Sequence, residues 1–175
     1  LCAALTHGNE DYAQFGFDSG VEFPPHNSKC PNVAANFPFR DAFAGSVIEY
    51  SAISRAYLNR KHPQGNVFRS LFPSWDNTAR TGSRAVIVVG GTPSNYEYWL
   101  AEAIRKTQED FPDQERFVFI NAWNEWAEGC HLEPDRKYQR GFLEATRTAK
   151  EGRSLRNGFS AADESPSNDD PRRTL

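Results

Sequence analysis

The residues best suited to chemistry lie between positions 121 and 135, in the run Asn121-Ala122-Trp123-Asn124-Glu125-Trp126-Ala127-Glu128-Gly129 and, just after it, His131-Leu132-Glu133-Pro134-Asp135. Glu125 and Glu128 are three positions apart, so a tight turn or a first helical turn aims both into one cleft. Two carboxylates whose pKa values are held apart can divide acid and base roles in glycoside chemistry. Trp123 and Trp126 offer flat apolar faces to a sugar ring, and Asn121 and Asn124 can hydrogen-bond its hydroxyls. The plainer reading is a loop whose carboxylates cap the next helix and whose indoles are buried.

Two further clusters have a similar form. Pro73-Ser74-Trp75-Asp76-Asn77-Thr78-Ala79-Arg80 also follows an apolar run. Asp76 and Arg80 can pair with each other, and Asn77 can bond its own backbone in a turn. On the same sheet edge as the first cluster, Trp75, Asp76 and Asn77 become candidate ligand contacts. In Glu22-Phe23-Pro24-Pro25-His26, a carboxylate inside an apolar run must point into a polar site or pair with a cation. Glu22 is therefore a candidate too, while His26 reads as a surface histidine. His7, His26, His62 and His131 lack the spacing of metal ligands, and Cys2, Cys30 and Cys130 are odd in number and far apart. The cysteines are expected as free thiols, and no metal or cofactor is expected.

The elements that would position these residues follow from the alternation of short apolar runs with amphipathic stretches, the pattern of β-α units around a mainly parallel sheet. Strands are expected at 20–23, 67–72, 85–89 and 116–123, the last two nearly continuous in apolar residues and thus buried on both faces. Thr92 can cap a helix with Pro93 at its first position and Tyr96, Trp99, Leu100, Ala103 and Ile104 on one face, ending before Pro112. Tyr138, Phe142, Ala145, Thr146 and Ala149 form a second stripe, and Ser51 opens a third helix with Ile53, Ala56 and Tyr57 inward. Residues 152–175 are too polar to bury much surface and are expected as a disordered tail, leaving residues 1–151 as the folded part.

The whole chain has 175 residues, with 20 Lys plus Arg against 23 Asp plus Glu and a net charge of −3. That balance excludes a basic nucleic-acid binder. No apolar run approaches the roughly 18 residues of a bilayer span, and no basic flank precedes an apolar stretch at the start, so neither a membrane span nor a signal peptide is expected and the location is taken as cytoplasmic. The chain begins at Leu1 and has no Met, which reads as a fragment or a processed piece.

Val21-Glu22-Phe23-Pro24-Pro25-His26, Trp75-Asp76-Asn77-Thr78-Ala79-Arg80, Thr92-Pro93 with Tyr96 and Trp99-Leu100, and above all Phe119 to Gly129 with Leu132-Glu133-Pro134-Asp135 resemble the WbsX family. That family is called a lipopolysaccharide-biosynthesis glycosyltransferase and also a glycoside hydrolase family 99-like domain. The resemblance runs from about Phe17 to Ala149. It implies an α/β chain forming the C-terminal part, about four β-α units, of a (β/α)8 TIM barrel, with the opening half expected upstream because 151 residues cannot close such a barrel. It also implies a glycan substrate. By likeness to family 99 hydrolases, Glu125 would act on the substrate's own 2-hydroxyl and Glu128 would be the general acid and then the base. Ala127 stands where those hydrolases have His, so the carry-over stops at the two Glu. Hydrolysis is the expected reaction. Transfer from a nucleotide sugar is the alternative, although the folded part has neither a D-x-D element nor a glycine-rich phosphate loop. A truncated, inactive or merely carbohydrate-binding remnant is the third possibility.

Overall fold

A computed structural model describes residues 1–8, 11–38, 43–62, 65–153 and 158–159. The chain is a mixed α/β fold around a parallel sheet. Strands β1 (Cys2–Leu5), β2 (Ser19–Glu22), β4 (Val67–Leu71) and β7 (Val118–Ile120) lie side by side in chain order, each parallel to its neighbour. Parallel neighbours need long crossovers; a 3-10 turn (Ala13–Phe15) lies in the first and helices lie in the other two. Helix α1 (Tyr50–Leu58) lies between β2 and β4, α3 (Pro93–Asp110) between β4 and β7, and α4 (Gly141–Lys150) follows β7. Because all four strands run the same way, their carboxyl ends share one edge, where the connecting loops gather.

A second sheet has β6 (Val86–Val89) at its centre, parallel to β3 (Ser46–Glu49) and antiparallel to the two-residue β5 (Trp75–Asp76). The run Val86-Ile87-Val88-Val89 is β-branched throughout, which suits a strand packed on both sides. It lies outside the four-stranded sheet, a placement its composition does not encode. Asn124–Glu125 (β8) and Cys130–His131 (β9) close a small antiparallel hairpin. A single turn, Thr78–Thr81 (α2), follows β5.

Helix α3 begins as its sequence predicts. The Thr92 hydroxyl accepts a hydrogen bond from the Asn95 amide, satisfying one of the donors that a helix start leaves free, and Pro93 occupies the first turn. Tyr96, Trp99, Leu100, Ala103 and Thr107 are its buried stripe. Trp99 is the centre of the core, with ring centroids 5.3 Å from Phe72, 5.4 Å from Tyr50 and 6.2 Å from Tyr57. The edge-to-face geometry of the first two pairs suits the quadrupoles of the rings. The Tyr50 hydroxyl donates to the Phe72 carbonyl at 2.7 Å, so the buried phenol is satisfied.

Three expectations need correction. Phe119 in β7 is 44% exposed rather than buried on both faces, because β7 is an edge strand and the helices pack on the other side of the sheet, against Leu71, Val118 and Ile120. In α1 the inward position expected of Ala56 belongs to Ser54, whose hydroxyl bonds the Tyr50 carbonyl, while Ala56 is exposed. Tyr138 precedes α4 instead of belonging to it. Strands β1, β3, β5, β8 and β9 add to those read from sequence.

The expected tail lies outside the described residues from 160 onward. Within its described part, Phe159 packs 4.6 Å from Tyr98, beneath Arg55. Among the described residues no helix is long and apolar enough to cross a membrane, and Cys2, Cys30 and Cys130 carry free thiols.

Removing the Thr92 cap by Thr92→Ala is expected to cost about 1 kcal/mol of stability. Arg105→Ala, which breaks exposed ion pairs to Glu102 and Glu109, should cost under about 0.5 kcal/mol. Denaturant melts of the two variants check that order.

Candidate functional site

The site is built where β4 and β7 end. The Asn121 amide donates to the Leu71 carbonyl at 2.9 Å, extending the ladder one residue past β7, and the Asn121–Ala122 peptide is cis. The chain then leaves the sheet. The Trp123 carbonyl accepts from the amides of Leu132 (2.9 Å) and Glu133 (3.1 Å), which closes residues 124–131 into a loop around the β8–β9 hairpin. Between the two strands, Trp126–Glu128 make one 3-10 turn, and Gly129 ends it in the left-handed region at φ 56°. Glu125 and Glu128 thus sit at the two ends of a single tight turn.

That turn rests directly on the segment after β4. A side chain at position 129 would put its first carbon 3.1 Å from both the amide nitrogen and the carbonyl oxygen of Asp76, so space as well as φ favours glycine. The Ser74 hydroxyl donates to the Gly129 carbonyl at 2.6 Å. From α2, Arg80 Nη1 reaches Glu128 Oε1 at 2.8 Å. The two expected clusters, 73–80 and 121–135, therefore meet, and Arg80 pairs with Glu128 rather than with Asp76. Asp76 accepts from the Thr78 amide (3.0 Å) and hydroxyl (2.5 Å), and Asn77 Oδ1 accepts from the Val86 amide (2.7 Å). Both polar side chains hold the loop that carries Arg80.

Electrostatics separates the turn's own carboxylate from ordinary surface acids. Burial raises the Glu128 carboxyl above the usual glutamate range, Arg80 opposes that rise, and the neighbouring Glu125 charge adds to it. The Glu128 side chain is 19% exposed, so solvent still reaches it. This is the combination wanted of a proton donor, a carboxyl that keeps its proton longer than most and remains accessible.

The indoles stand around this turn in two ways. Trp123 and Trp126 are 53% and 50% exposed. One face of Trp126 stacks on His131, centroids 3.6 Å apart and 17° from parallel, and its Nε1 donates to Glu133 at 2.7 Å. His131 Nε2 lies 3.2 Å from Asp135, whose other oxygen accepts the Tyr138 amide. A fixed ring with area still open to solvent is what a sugar face requires. Trp75 differs, being 3% exposed and packed 5.9 Å from Phe72 and 6.3 Å from His26. Asn124 is exposed beside Glu125.

Glu22 is placed elsewhere. It is 1% exposed, on the same side of the sheet as its neighbour Leu5, with Oε1 2.8 Å from His62 Nε2 and Oε2 accepting the Ser70 amide at 3.2 Å. The sequence argument that a carboxylate in an apolar strand needs a polar partner holds, and His62 is that partner. What sequence reasoning missed is Arg80's role, since nothing in spacing links it to a residue 48 positions away. The His131–Asp135 pair has a visible i, i+4 spacing. Among the described residues no group of three His, Cys, Asp or Glu side chains is placed to hold a metal ion.

Residues 1–146 match the sequence profile of a family described as Glycosyltransferase WbsX. Two curated relatives, each described as "Uncharacterized protein WxcX" and coming from two strains of Xanthomonas campestris pv. campestris, are 37% identical over 140 residues. The match covers 79% of this chain and 20% of each relative, so the chain spans about one fifth of their length. No solved structure matches the chain.

Cys130 lies beneath the turn, its thiol donating to the Asn121 carbonyl at 2.7 Å, and burial pushes its pKa up to about 12. At pH 8 almost none of it is thiolate, and the thiolate is the reactive form. Titration with a disulfide reagent at pH 8 should therefore modify exposed Cys2 promptly and Cys130 only after unfolding.

Proposed function

Since this chain belongs to the WbsX family, we propose that it supplies the acid and base carboxylates of a carbohydrate-active enzyme, one acting on glycosidic bonds of a polysaccharide or lipopolysaccharide-type glycan. The observation that carries this reading is the placement of Glu125 and Glu128 on one turn at the carboxyl edge of a parallel sheet, with burial raising the Glu128 carboxyl above the usual glutamate range. Trp123, Trp126 and Asn124 surround the turn as sugar contacts, and Trp75, Asp76 and Asn77 back it from the β4 side.

In the hydrolytic form of this reading, Glu128 donates its proton to the leaving glycosidic oxygen and afterwards takes a proton from water. Glu125 acts as the base that starts bond cleavage, through the substrate's own 2-hydroxyl. Arg80 tunes Glu128: its positive charge limits how far burial and Glu125 raise the carboxyl, so the group can both release a proton and recover it. Glycosyl transfer is the second reading, favoured by the family description. It employs the same turn, with the base activating an acceptor hydroxyl in place of water. Glu22 belongs to the strand scaffold in both readings, through His62.

The sheet itself fits an arc of a (β/α)8 barrel. Its strands are parallel and ordered as in the chain, helices stand in the crossovers from β2 to β4 and from β4 to β7, and Ala4, Val21, Phe68 and Phe119 on one side are left exposed or half-buried. The remaining strands would come from other parts of a longer protein.

In the full-length protein, Glu125→Gln and Glu128→Gln are each expected to lower kcat on end-labelled O-antigen oligosaccharides by about 100-fold or more. Full activity in both variants would end the proposal. Calorimetric titration with nucleotide sugars and Mn²⁺ separates the two readings, since tight binding there favours transfer. Replacing Arg80 by Gln removes the charge that lowers the Glu128 pKa, so the alkaline limb of the pH–rate profile should move to higher pH. A move to lower pH would remove Glu128 from the role of acid.

A further inference from the structure

We infer that His26, presented with His7 between Phe23 and Trp75 at the carboxyl ends of β1 and β2, is a saccharide-contacting residue forming a second wall of the site that holds Glu125 and Glu128. The inference rests on the carbohydrate reading of that site and adds to it a binding residue from the opposite side of the sheet edge.

The backbone at His26 is firmly held. Tyr57 in α1 donates its hydroxyl to the His26 carbonyl. Arg60 donates to the next carbonyl, that of Asn27, at 2.7 Å. Asn27 in turn ties the loop to the end of β1, its Nδ2 donating to the Leu5 carbonyl at 3.1 Å and its Oδ1 accepting the Gly8 amide at 2.6 Å. Three side chains, Tyr57, Arg60 and Asn27, thus tie the two loops to α1 and to the end of β1. Four residues past the end of β2, the His26 ring centroid lies 5.5 Å from that of His7, 5.7 Å from Phe23 and 6.3 Å from Trp75, to which it is nearly perpendicular.

Among the described residues, neither ring nitrogen of His26 has a hydrogen-bond partner, and the residue is only half-buried. Burial and the neighbouring His7 hold its imidazole below the ordinary histidine range. At neutral pH the ring is then uncharged, with one N–H to donate and one nitrogen to accept. A sugar hydroxyl needs both of these, and a fixed, neutral imidazole beside aromatic rings supplies them at little entropic cost on binding. The position relative to the carboxylates follows from the chain itself. Trp75, against which His26 stands, is adjacent to Asp76, whose backbone touches Gly129, the residue after Glu128. A saccharide chain crossing the edge from the Glu125–Glu128 turn toward β2 meets His26.

The test uses the full-length protein and calorimetric or weak-affinity chromatographic measurement of methyl pyranosides of gluco, galacto, manno and rhamno configuration, with monodeoxy derivatives of whichever binds. Binding to the unsubstituted protein should weaken about threefold to tenfold in His26→Ala, less in His26→Gln, with the melting temperature unchanged. One monodeoxy derivative, weaker on the unsubstituted protein, should bind His26→Ala with no further loss, which a purely structural role would not produce. If Trp126→Ala weakens binding while both His26 variants leave it unchanged, the inference is overturned and the carbohydrate reading of the turn stands. If no pyranoside or O-antigen oligosaccharide binds at all, both are overturned. Should His26→Ala fail to fold, His26→Gln and the deoxy series decide alone.

Discussion

The contact on which the site depends is the seating of Gly129 against the backbone of Asp76. A side chain there would crowd the Asp76 backbone, and φ at Gly129 is positive, so glycine is the residue that lets the turn carrying Glu125 and Glu128 lie on the segment after β4 without strain. With that approach made, Ser74 reaches the Gly129 carbonyl and Arg80 reaches Glu128. The cluster that follows β4 and the cluster that follows β7 become one surface. Without it, they would remain two polar loops on neighbouring strands.

The magnitudes indicate what each interaction is for. An ion pair as exposed as Arg80, at 54%, adds little to stability in water. Its consequence is local, a positive charge beside a half-sheltered carboxyl that burial and Glu125 would otherwise push further from ionisation. Stability comes instead from the aromatic core around Trp99, which Trp75 and Cys130 of the two loops join. Division of this kind lets the strand ends carry polar groups and exposed indoles that a core could not accept.

Much of this was legible in the sequence, for physical reasons particular to each element. Helix α3 is announced by Thr92, Pro93 and a stripe at helical spacing, all local features. The Glu125–Glu128 turn is a local motif as well, with its glycine at the end. Arg80 was not legible as a partner of Glu128, nor Glu22 as a partner of His62, because both pairings are made by strand order. The exposed face of β7 misled in a different way: a nearly continuous apolar run implies two covered faces, and in this chain the helices cover one. His26 read as a surface histidine because its ring has no sequence neighbour to pair with, and only the fold shows that its backbone is tied to α1 and β1.

Family membership and the carboxylate turn together support the proposed carbohydrate chemistry, in a chain that spans about one fifth of the length of its curated relatives. The most direct measurement is a crystal structure of the full-length Glu128→Gln protein with an O-antigen oligosaccharide bound. The account predicts a glycosidic oxygen within about 3 Å of the residue 128 side chain, with a sugar ring against Trp123 or Trp126. An oligosaccharide seated elsewhere, with the 125–128 turn left open to solvent, would contradict it.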